Sequence, residues 1–476
     1  MNDMQPIISP LAWTGERLVT ATGGDRVCSG AGLIFKGVSI DSRTIGSDDV
    51  FVAIRGANHD GHRFIPDLIA KGIRGFLIEK SKADMLSGVD RQSIVCVAVD
   101  DTVQALGALG SYQKRESAVK LVAITGSNGK TSTRAMTANV LETRYKVLAT
   151  QGNFNNEIGL PLTLLRLGQG HEWAVAEMGM NSPGEIARLA SIARPDMGII
   201  TNVAEAHLEG LGSIENVARA KAELLDGLGP DQTAILNGDD PMFPELEKHC
   251  RCRVLVFGTT DRADIRAGSI TFSEGRVSFM LNAGGSAVNV TLNTPGSFMV
   301  SNALAAASAG IVAGLDLGDI KKGLESFVPV YGRVQVTKSP AGFHVIDDTY
   351  NANPQSMMAA INTLCDLKGE NRGFLVLGDM KELGEHSDRL HRKIGSFAAE
   401  KNIHAIFTYG EKARLIADEA LIKGFNEKSV FTGSKKEIIE TLSKKLKQGD
   451  WVLVKGSRSM AMEEIVKDLL VLNGAE

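Results

Sequence analysis

The chain has 476 residues, which at roughly 150 residues per domain predicts about three domains. Hydrophobic residues make up 43% and charged residues 23%, the balance of a globular protein that buries a core. Lys and Arg total 52 against 56 Asp and Glu, and the net charge of -4 excludes a positive field over the whole protein. We therefore expect no nucleic-acid partner, and any phosphate binding to be local.

The cysteines and the apolar segments indicate the compartment. The five cysteines are odd in number and scattered, which favours free thiols in a reducing compartment over a disulfide framework. Residues 1–18 carry neither a basic stretch nor a long apolar run, and no segment approaches the roughly 18 uninterrupted apolar residues of a membrane span. We expect a cytoplasmic, monomeric protein without membrane insertion.

The apolar pattern predicts an α/β fold of three domains. Short strands and turns in 1–117, with a helix over 63–72 and an apolar run over 75–78, predict a small N-terminal α/β domain. Beyond it, apolar runs alternate with helical segments, which is typical of parallel sheets. The alternation predicts a central domain over 118–330 with a mostly parallel sheet, and a C-terminal Rossmann-like domain over 331–476.

Eight runs are the predicted strands of the last two domains: LVAIT (121–125), WAVAE (173–177), MGIIT (197–201), TAILN (233–237), FHVID (343–347), GFLVLG (373–378), HAIFTY (404–409) and WVLVK (451–455). Parallel strands end at the same edge of a sheet, where loops and helix N-termini form a ligand crevice. Polar residues that follow these strands are therefore the candidates for a functional site.

The segment AITGSNGKTS (123–132) predicts a phosphate-binding loop before a helix that begins at about Thr131. Glycines let backbone N–H groups surround phosphate oxygens, and the helix N-terminus adds partial positive charge. Lys130 supplies a point charge, and Thr131 can hold Mg²⁺. Because Ile124 stands where the longer motif has glycine, a plain glycine-rich turn is the alternative, but the context favours ATP. The predicted nucleotide-binding residues are Gly126, Ser127, Asn128, Gly129, Lys130, Thr131 and Ser132.

Glu177 ends the strand WAVAE, and His207 follows the strand MGIIT, so both are expected at the crevice beside the phosphate loop. Taken alone, a strand-end glutamate is more often solvated, and a loop histidine is more often hydrogen-bonded. Together with the loop, a carboxylate and an imidazole are candidates for sharing metal ions with ATP phosphates.

Lys221 lies on the inward stripe of a helix predicted to begin near Ser213. A helix lysine is normally solvated, so a buried position needs a reason. Desolvation disfavours the ammonium form, and a neutral amine can add CO₂ to become a metal-binding carbamate. As a hypothesis, carbamylated Lys221 completes a metal site with Glu177 and His207.

Several ordered strings resemble the Mur ligase family and span almost the whole chain. IDSRTIGSDDVFVAIRGANHDGHRF (40–64) resembles the family's uridine-nucleotide domain. The strings that resemble its ATPase domain are TGSNGKTS (125–132), GNFNNEIGLP (152–161), AEMGM (176–180) and AKAEL (220–224). Those that resemble its C-terminal domain are IDDTYNANPQSM (346–357), VLGDMKELGEHSDRLH (376–391) and VLVKGSRSMAME (452–463).

The resemblance implies an ATP-dependent ligase that makes an amide bond through an acyl phosphate. YNANP and LGDMxELG imply that it adds D-alanyl-D-alanine to UDP-N-acetylmuramoyl tripeptide for peptidoglycan synthesis, rather than a single amino acid. An acyl phosphate hydrolyses in water, so we expect the third domain to close over the central one before chemistry. Phe298 and Met299 depart from the His-Asn pair that the family usually has before the adenine-contacting asparagine.

The resemblance also implies roles for individual residues. Lys130 and Thr131 would handle the ATP phosphates and the first Mg²⁺, with Glu177, His207 and carbamylated Lys221 serving the metals. The other nucleotide-binding residues would be Asn302, Arg333 and Asp348. The substrate-binding residues would be Ser42 and Arg43 at the uridine diphosphate, Asn155 and Asn156 beside ATP and the muramoyl peptide, and Asn351, Asn353 and Arg458 across the cleft.

Each of these residues has a structural alternative. The DSR string at 41–43 fits turn chemistry, Asn351 and Asn353 fit a helix cap before Pro354, and Arg333 fits a hinge ion pair. Three rival functions also stay open. A sister ligase would add one amino acid, a kinase would phosphorylate a stable acceptor without an amine, and a regulatory module would bind ATP without turnover.

Overall fold

The computed structural model describes residues 8–56, 59–168, 170–273 and 275–472. Within these ranges the chain forms three sheets, of six, nine and six strands, one in each predicted domain. Helices pack against the sheets, so the predicted three-domain α/β fold is confirmed. None of the helices in the described part of the chain combines the length and the apolar composition that a membrane crossing needs.

The N-terminal sheet has the strand order β1-β3-β4-β5-β6-β2. Strands β3 to β6 are parallel, whereas β1 and β2 pair antiparallel at the two edges. Its strands are β1 Ile8–Trp13, β2 Asp25–Ser29, β3 Phe35–Ser39, β4 Asp49–Val52, β5 Gly75–Glu79 and β6 Val95–Val99. Its helices are α1 Gly15–Thr22, α2 Ile65–Ala70 and α3 Thr102–Ser117.

The single helix predicted over 63–72 is wrong in its extent. The structure has a 3₁₀ turn over Gly61–Phe64 followed by α2. Pro66 stands in the first turn of α2, where its fixed φ is compatible with a helix start and its missing N–H is not needed. The helix ends before Gly72, because the φ of 88° at Gly72 lies outside the right-handed helical region.

The central sheet has the strand order β15-β14-β13-β12-β11-β10-β7-β9-β8. Its strands are β7 Lys120–Thr125, β8 Val147–Ala149, β9 Trp173–Glu177, β10 Met197–Ile200, β11 Thr233–Asn237, β12 Arg253–Gly258, β13 Ile265–Ser273, β14 Arg276–Ala283 and β15 Ser286–Leu292. The pairs from β8 to β13 are parallel, and β13 to β15 form an antiparallel meander that the strand prediction did not include.

The helices of the central domain are α4 Lys130–Glu142, α5 Gly159–Leu164, α6 Glu185–Ala193, α7 Leu208–Leu211, α8 Ile214–Asp226, α9 Phe243–Glu247, α10 Phe298–Val312 and α11 Leu317–Glu325. Helix α4 begins directly after the left-handed Gly129, and α8 is capped by Ser213, whose side chain accepts a hydrogen bond from Asn216 N. These two helix starts lie within one residue of the predicted ones.

The C-terminal sheet has the strand order β16-β17-β21-β18-β19-β20, and only its edge pair β16–β17 is antiparallel among the described strands. Its strands are β16 Gln335–Lys338, β17 His344–Asp348, β18 Gly373–Gly378, β19 Ala405–Tyr409, β20 Val430–Thr432 and β21 Trp451–Lys455. Its helices are α12 Pro354–Lys368, α13 Ser387–Ala399, α14 Arg414–Ile422, α15 Lys435–Lys445 and α16 Glu463–Leu470.

The register of the parallel strands brings the functional segments together. Glu177 at the end of β9 pairs with Ile124 of β7, and Ile200 at the end of β10 pairs with Thr125. In the C-terminal sheet, Asp348 at the end of β17 pairs with Lys455 at the end of β21. The loops that follow these strands therefore leave each sheet at one edge.

The domain boundaries at 117/118 and 330/331 stay proposals. The first falls at the end of α3, and the second falls between α11 and β16. Helix α3 packs on α5, and Leu162 and Leu165 of the central domain belong to the N-terminal hydrophobic core. The first two domains therefore share a packed interface at this boundary.

The contact between α3 and α5 predicts opposite effects for two glycines of α3. A Cβ at Gly110 would stand 2.8 Å from Pro161 Cα, whereas a Cβ at Gly107 would meet only the mobile end of Ile192, at 2.9 Å from Cδ1. Overpacking costs about 1–3 kcal/mol, and Gly→Ala in a helix otherwise gains about 1 kcal/mol. We expect Gly110→Ala to lower the thermal unfolding midpoint and Gly107→Ala to preserve or raise it. Equal midpoints for the two variants would contradict the packing.

Candidate active site

The phosphate loop requires glycine at two positions. Gly126 has a φ of 149° and Gly129 has a φ of 82°, a region that side chains with a Cβ rarely adopt. A Cβ at Gly126 would stand 1.8 Å from Thr201 Oγ1, and one at Gly129 would stand 2.2 Å from Asn302 Oδ1. The loop is therefore pressed between the segment after β10 and the start of α10.

The segment after β10 also fixes the loop by hydrogen bonds. Ser127 N donates to Asn202 O at 2.9 Å, and Asn128 N donates to Asn202 Oδ1 at 3.0 Å. Thr201 Oγ1 donates to Asn128 O at 2.6 Å. These bonds hold the loop in one conformation before a ligand arrives.

Lys130 lies folded over the loop that precedes it. Its Nζ donates to Gly126 O at 2.7 Å, so the ammonium stands where the loop would surround an anion. Burial lowers the pKa of Lys130, while the charges of Glu177 and Glu382 oppose that shift. A bound phosphate would favour the charged form of Lys130 further.

Glu177 is buried at the end of β9. Its Oε1 accepts a hydrogen bond from Asn155 Nδ2 at 3.1 Å, and Arg134 Nε lies 3.9 Å from its Oε2. Oε2 is nevertheless buried without a hydrogen-bond partner. A buried carboxylate oxygen with spare acceptor capacity fits a hard cation such as Mg²⁺.

His207 contacts the C-terminal domain. Its Nδ1 lies 2.7 Å from Glu382 Oε2, and Glu209 N donates to Glu382 O at 3.1 Å. Both His207, with a φ of 55°, and Glu382, with a φ of 63°, have left-handed backbone conformations. Such strained residues persist only where the surrounding structure holds them, and they are enriched at functional sites.

Lys221 is 1% exposed on α8, in agreement with its predicted inward position. Burial lowers its pKa well below the ordinary value, the charge of Lys130 lowers it further, and Asp240 opposes the shift. No described residue accepts a hydrogen bond from Lys221 Nζ. Asp240 itself accepts hydrogen bonds from Val203 N and Met242 N, so its carboxylate is held by backbone groups.

The three residues predicted to hold the rest of the nucleotide surround the loop. Arg333 Nη2 donates to Thr131 Oγ1 at 3.2 Å, and its guanidinium lies 4.0 Å from the centre of the Tyr350 ring. Thr133 Oγ1 donates to Asn302 Oδ1 at 3.3 Å. Asp348 Oδ2 accepts a hydrogen bond from the buried Lys455 Nζ at 2.5 Å.

The C-terminal domain also contacts the loop directly. Asn353 Nδ2 donates to Asn128 Oδ1 at 2.7 Å, and Asn128 Nδ2 donates to Gln355 Oε1 at 2.7 Å. Asn353 is also the N-cap of α12, where its side chain accepts from Ser356 N. The helix-cap alternative for Asn353 therefore coexists with an interdomain contact.

One cavity of about 640 Å³ lies between the central and C-terminal domains. The predicted site residues that line it are Ser127, Asn128, Gly129, Lys130, Ser132, Asn155, Asn156, Glu177, His207, Asn302, Arg333, Asp348, Asn351 and Asn353. The predicted residues outside its lining are Ser42, Arg43, Gly126, Thr131, Lys221 and Arg458.

Two of the residues outside the lining, Arg43 and Arg458, form local ion pairs. Arg43 Nη2 pairs with Asp41 at 2.6 Å, and Arg458 Nη1 pairs with Glu463 at 2.6 Å, both with exposed arginine side chains. Ser42 lies in the same turn as Arg43. Their substrate contacts stay predictions, because they are separate from the cavity that contains the phosphate loop.

The metal site predicted at Thr131, Glu177, His207 and Lys221 also stays a prediction. In the ranges that the structure describes, no cluster of three or more His, Cys, Asp or Glu side chains forms a ready cation site. His207 faces Glu382, Thr131 accepts from Arg333, and Lys221 lies near Asp240. A site built from these residues would depend on the carbamate to supply the third anionic or imidazole group.

Three family models match successive parts of the chain: the Mur ligase family catalytic domain at 34–114, the Mur ligase middle domain at 124–310 and the Mur ligase glutamate ligase domain at 332–458. A UDP-N-acetylmuramoyl-tripeptide--D-alanyl-D-alanine ligase of Bacillus subtilis is 36% identical over 92% of this chain and 93% of its own length. The Escherichia coli ligase of the same name is 34% identical over 92% and 95%. The chain belongs to the Mur ligase family.

Solved structures agree with this assignment. MurF from Acinetobacter baumannii superposes with a TM-score of 0.88 at 32% identity, over 97% of this chain and 100% of that one. MurF from Thermotoga maritima, solved in complex with ADP, has a TM-score of 0.79 at 28% identity, over 91% and 96%. The predicted resemblance is confirmed, and this Mur ligase is an ATP-dependent enzyme that forms amide bonds.

The sequence reasoning missed several residues that line the cavity of this Mur ligase. Asn202 and Asp240 follow β10 and β11, so the rule that strand ends carry function would have found both. Glu382 lies inside the LGDMKELG string, and Tyr350 lies inside YNANP, but neither was singled out. Only the interdomain geometry distinguishes these two from their neighbours.

The close approach of Gly129 to Asn302 predicts a loss of nucleotide binding in this Mur ligase. We expect Gly129→Ala to weaken ATP binding by about tenfold or more, because the added Cβ strains the backbone and displaces the loop. Gly285→Ala is the matched control, since Gly285 has a φ of 80° and no atom within 4 Å of its added Cβ. Titration calorimetry with an ATP analogue measures both. Equal loss in the two variants, or none in Gly129→Ala, would contradict the prediction.

Proposed function

We propose that this Mur ligase joins D-alanyl-D-alanine to UDP-N-acetylmuramoyl tripeptide at the expense of ATP, giving the UDP-linked pentapeptide used in peptidoglycan synthesis. The observation that carries the proposal is the shared cavity. In it the phosphate loop meets the YNANP loop through Asn128 and Asn353, and the segment after β10 meets the LGDMKELG loop through His207 and Glu382. Relatives that bear this activity in their names match nearly the full chain.

ATP is needed because a carboxylate does not react with an amine in water. The tripeptide's terminal carboxylate oxygen attacks the γ-phosphorus, an O–P bond forms, and ADP leaves with the electrons of the broken bond. The product is an acyl phosphate. Lys130 and the N-terminus of α4 stabilise the charge on the transferring group, because both point positive charge into the loop.

The amine of D-alanyl-D-alanine then attacks the acyl carbon. A tetrahedral intermediate forms, and the C–O bond to phosphate then breaks. Inorganic phosphate and one proton are released, and the new amide remains. Water at this stage would hydrolyse the acyl phosphate. The hydrogen bonds of Asn128 to Asn353 and Gln355 keep the C-terminal domain against the loop, which supports a closed site during chemistry.

Mg²⁺ fits the residues present. The orphaned buried Oε2 of Glu177 is an oxygen ligand without a partner, and Thr131, His207 and Lys221 are the other residues that would hold the ion. When bound, Mg²⁺ supplies positive charge to the phosphate oxygens. In Lys221 the neutral amine would add to CO₂, forming an N–C bond and releasing one proton, and the resulting carbamate would replace a buried cation by an anion.

The remaining site residues are proposed in their family roles. Asn302, Arg333 and Asp348 hold the nucleotide, and Asn155 and Asn156 face the muramoyl peptide from the cavity wall. Two groups are proposed from the resemblance: Ser42 and Arg43 at the uridine diphosphate, and Asn351, Asn353 and Arg458 across the cleft.

We also propose that the reaction takes place in the cytoplasm. ATP and a UDP-linked substrate are both required, and both are intracellular metabolites. Cys28 of β2 faces Cys96 of β6 across the N-terminal sheet, and both are free thiols. Cross-strand cysteines in this register stay unpaired in a reducing compartment. A monomer stays a prediction.

The assay for the proposed reaction measures phosphate release and product mass from ATP, Mg²⁺ and UDP-muramoyl tripeptide, with and without D-alanyl-D-alanine. We expect release that depends on the dipeptide and a UDP-pentapeptide product, because the acyl phosphate is resolved by the amine. Both lysine and diaminopimelate tripeptides are supplied. Product with a single amino acid would indicate a sister ligase, and a stable phosphorylated acceptor without amine would indicate a kinase.

The carbamate predicts a labelled adduct at one buried lysine. In buffer with ¹³C-bicarbonate we expect a carbamate resonance in the ¹³C spectrum that Lys221→Ala abolishes, together with most of the activity. Lys368→Ala is the matched control, since Lys368 is buried but donates to Gly369 O outside the cavity. That variant keeps the resonance. A fully active enzyme without any adduct would refute the carbamate.

A further inference from the structure

The carboxylates that line the cavity differ in their partners. Within the described ranges they are Glu177, Glu185, Asp239, Asp240, Asp348 and Glu382. Glu177 and Asp348 each accept a hydrogen bond from a side chain, and Glu185, Asp239 and Asp240 accept from backbone N–H groups. These five carboxylates thus have structural hydrogen bonds that account for at least one oxygen each.

Glu382 differs from these five because the side chain that its carboxylate contacts, His207, belongs to the other domain. Its Oε2 lies 2.7 Å from His207 Nδ1, and no described residue donates a hydrogen bond to its Oε1. The side chain is 53% exposed and faces the cavity. Its charge raises the pKa of Lys130, as that of Glu177 does. Glu382 therefore offers a free carboxylate oxygen close to the phosphate loop.

Backbone hydrogen bonds anchor the loop that carries Glu382. Met380 N donates to His391 Nε2 at 3.0 Å, and Lys381 N donates to Ser457 Oγ at 2.8 Å. His391 is buried, and its Nδ1 lies 2.7 Å from Ser387 O, which fixes the imidazole. These anchors lie directly before Glu382 and support its left-handed backbone, and the contact of Oε2 with His207 orients its carboxylate.

The second substrate needs such a group. A free α-amino group has a pKa of about 7.7–8.0, so the dipeptide arrives near neutral pH mostly as an ammonium ion. The amine nitrogen must come within about 3–3.5 Å of the acyl carbon that forms beside the phosphate loop. The basic groups of this region are those of Lys130, Arg134, Arg333 and Lys455. In their charged forms they would repel an ammonium ion there unless a carboxylate faced it.

We propose that Glu382 binds the ammonium group of the incoming D-alanyl-D-alanine through its Oε1 and, once that group has given up one proton to water, holds the neutral amine in position for attack. This inference rests on the ligase activity proposed above. The C-terminal domain then delivers the amine site when it contacts the central domain, since Glu382 and His207 come from opposite sides of the interface. The dipeptide is recruited only where the phosphate loop is already covered.

The test compares two ligands in wild type and in Glu382→Gln, which keeps the shape of the side chain and removes its charge. D-alanyl-D-alanine carries the amine, and N-propionyl-D-alanine has the same skeleton without it. We expect Glu382→Gln to raise the KM for the dipeptide roughly 10–100-fold. The inhibition constant of N-propionyl-D-alanine and the half-saturating Mg²⁺ concentration stay unchanged.

Glu385→Gln is the matched control, because Glu385 lies on the same loop, is 89% exposed and lies 3.9 Å from His386. It leaves every constant at the wild-type value. An unchanged dipeptide KM in Glu382→Gln overturns the inference. An equal rise in the dipeptide KM and in the inhibition constant of N-propionyl-D-alanine also overturns it, because Glu382 would then act only at the domain interface. A shift in Mg²⁺ dependence overturns it in favour of a metal ligand. Absence of product in wild type refutes the proposed function instead.

Discussion

The close packing of the phosphate loop is the constraint on which the rest of the site depends. Gly126 and Gly129 have no space for a Cβ, because Thr201 and Asn302 occupy it. That contact fixes the loop against both the segment after β10 and the start of α10. The same segment continues to His207, and the loop itself contacts α12 through Asn128. A shift of the loop by one ångström would therefore disturb the nucleotide site, the metal candidates and the interdomain contact together.

Three buried or half-buried lysines give the cavity positive charge that anionic ligands would neutralise. Lys130, Lys221 and Lys455 are held in or beside the cavity, and burial lowers the pKa of all three. Each lysine has a different partner. Lys455 pairs with Asp348, Lys130 donates to loop carbonyls, and Lys221 has the more distant charge of Asp240. The phosphates of ATP would supply the missing negative charge to Lys130, and a carbamate would remove the positive charge of Lys221. ATP binding would thus relieve cation repulsion at Lys130, and carbamylation would relieve it at Lys221.

The sequence predicted the parts of this site that lie within one sheet. Strand ends are readable from apolar runs, so Glu177 and the phosphate loop were expected at one edge, and helical spacing placed Lys221 inward. The contacts of Asn128 with Asn353 and of His207 with Glu382 join two sheets, and periodicity carries no information about how separate sheets are oriented. The β13–β15 meander was not predicted, because buried and exposed residues alternate along its half-exposed strands instead of forming continuous apolar runs. The helix predicted over 63–72 is shorter in the structure because Pro66 stands in its first turn, and the apolar spacing alone does not take the proline into account.

The interface between the central and C-terminal domains combines two kinds of contact with different consequences. Leu208 and Leu211 belong to the same buried cluster as Met380 and Leu383, so apolar packing surrounds the strained pair His207 and Glu382. Polar contacts between Asn128 and Asn353 cover the loop, and these exchange readily with water when the domains separate. Packing then holds the two strained residues opposite each other, while the polar bonds can open for nucleotide entry. An enzyme that protects an acyl phosphate needs both properties, since its site must open for each substrate and exclude water between the two chemical steps.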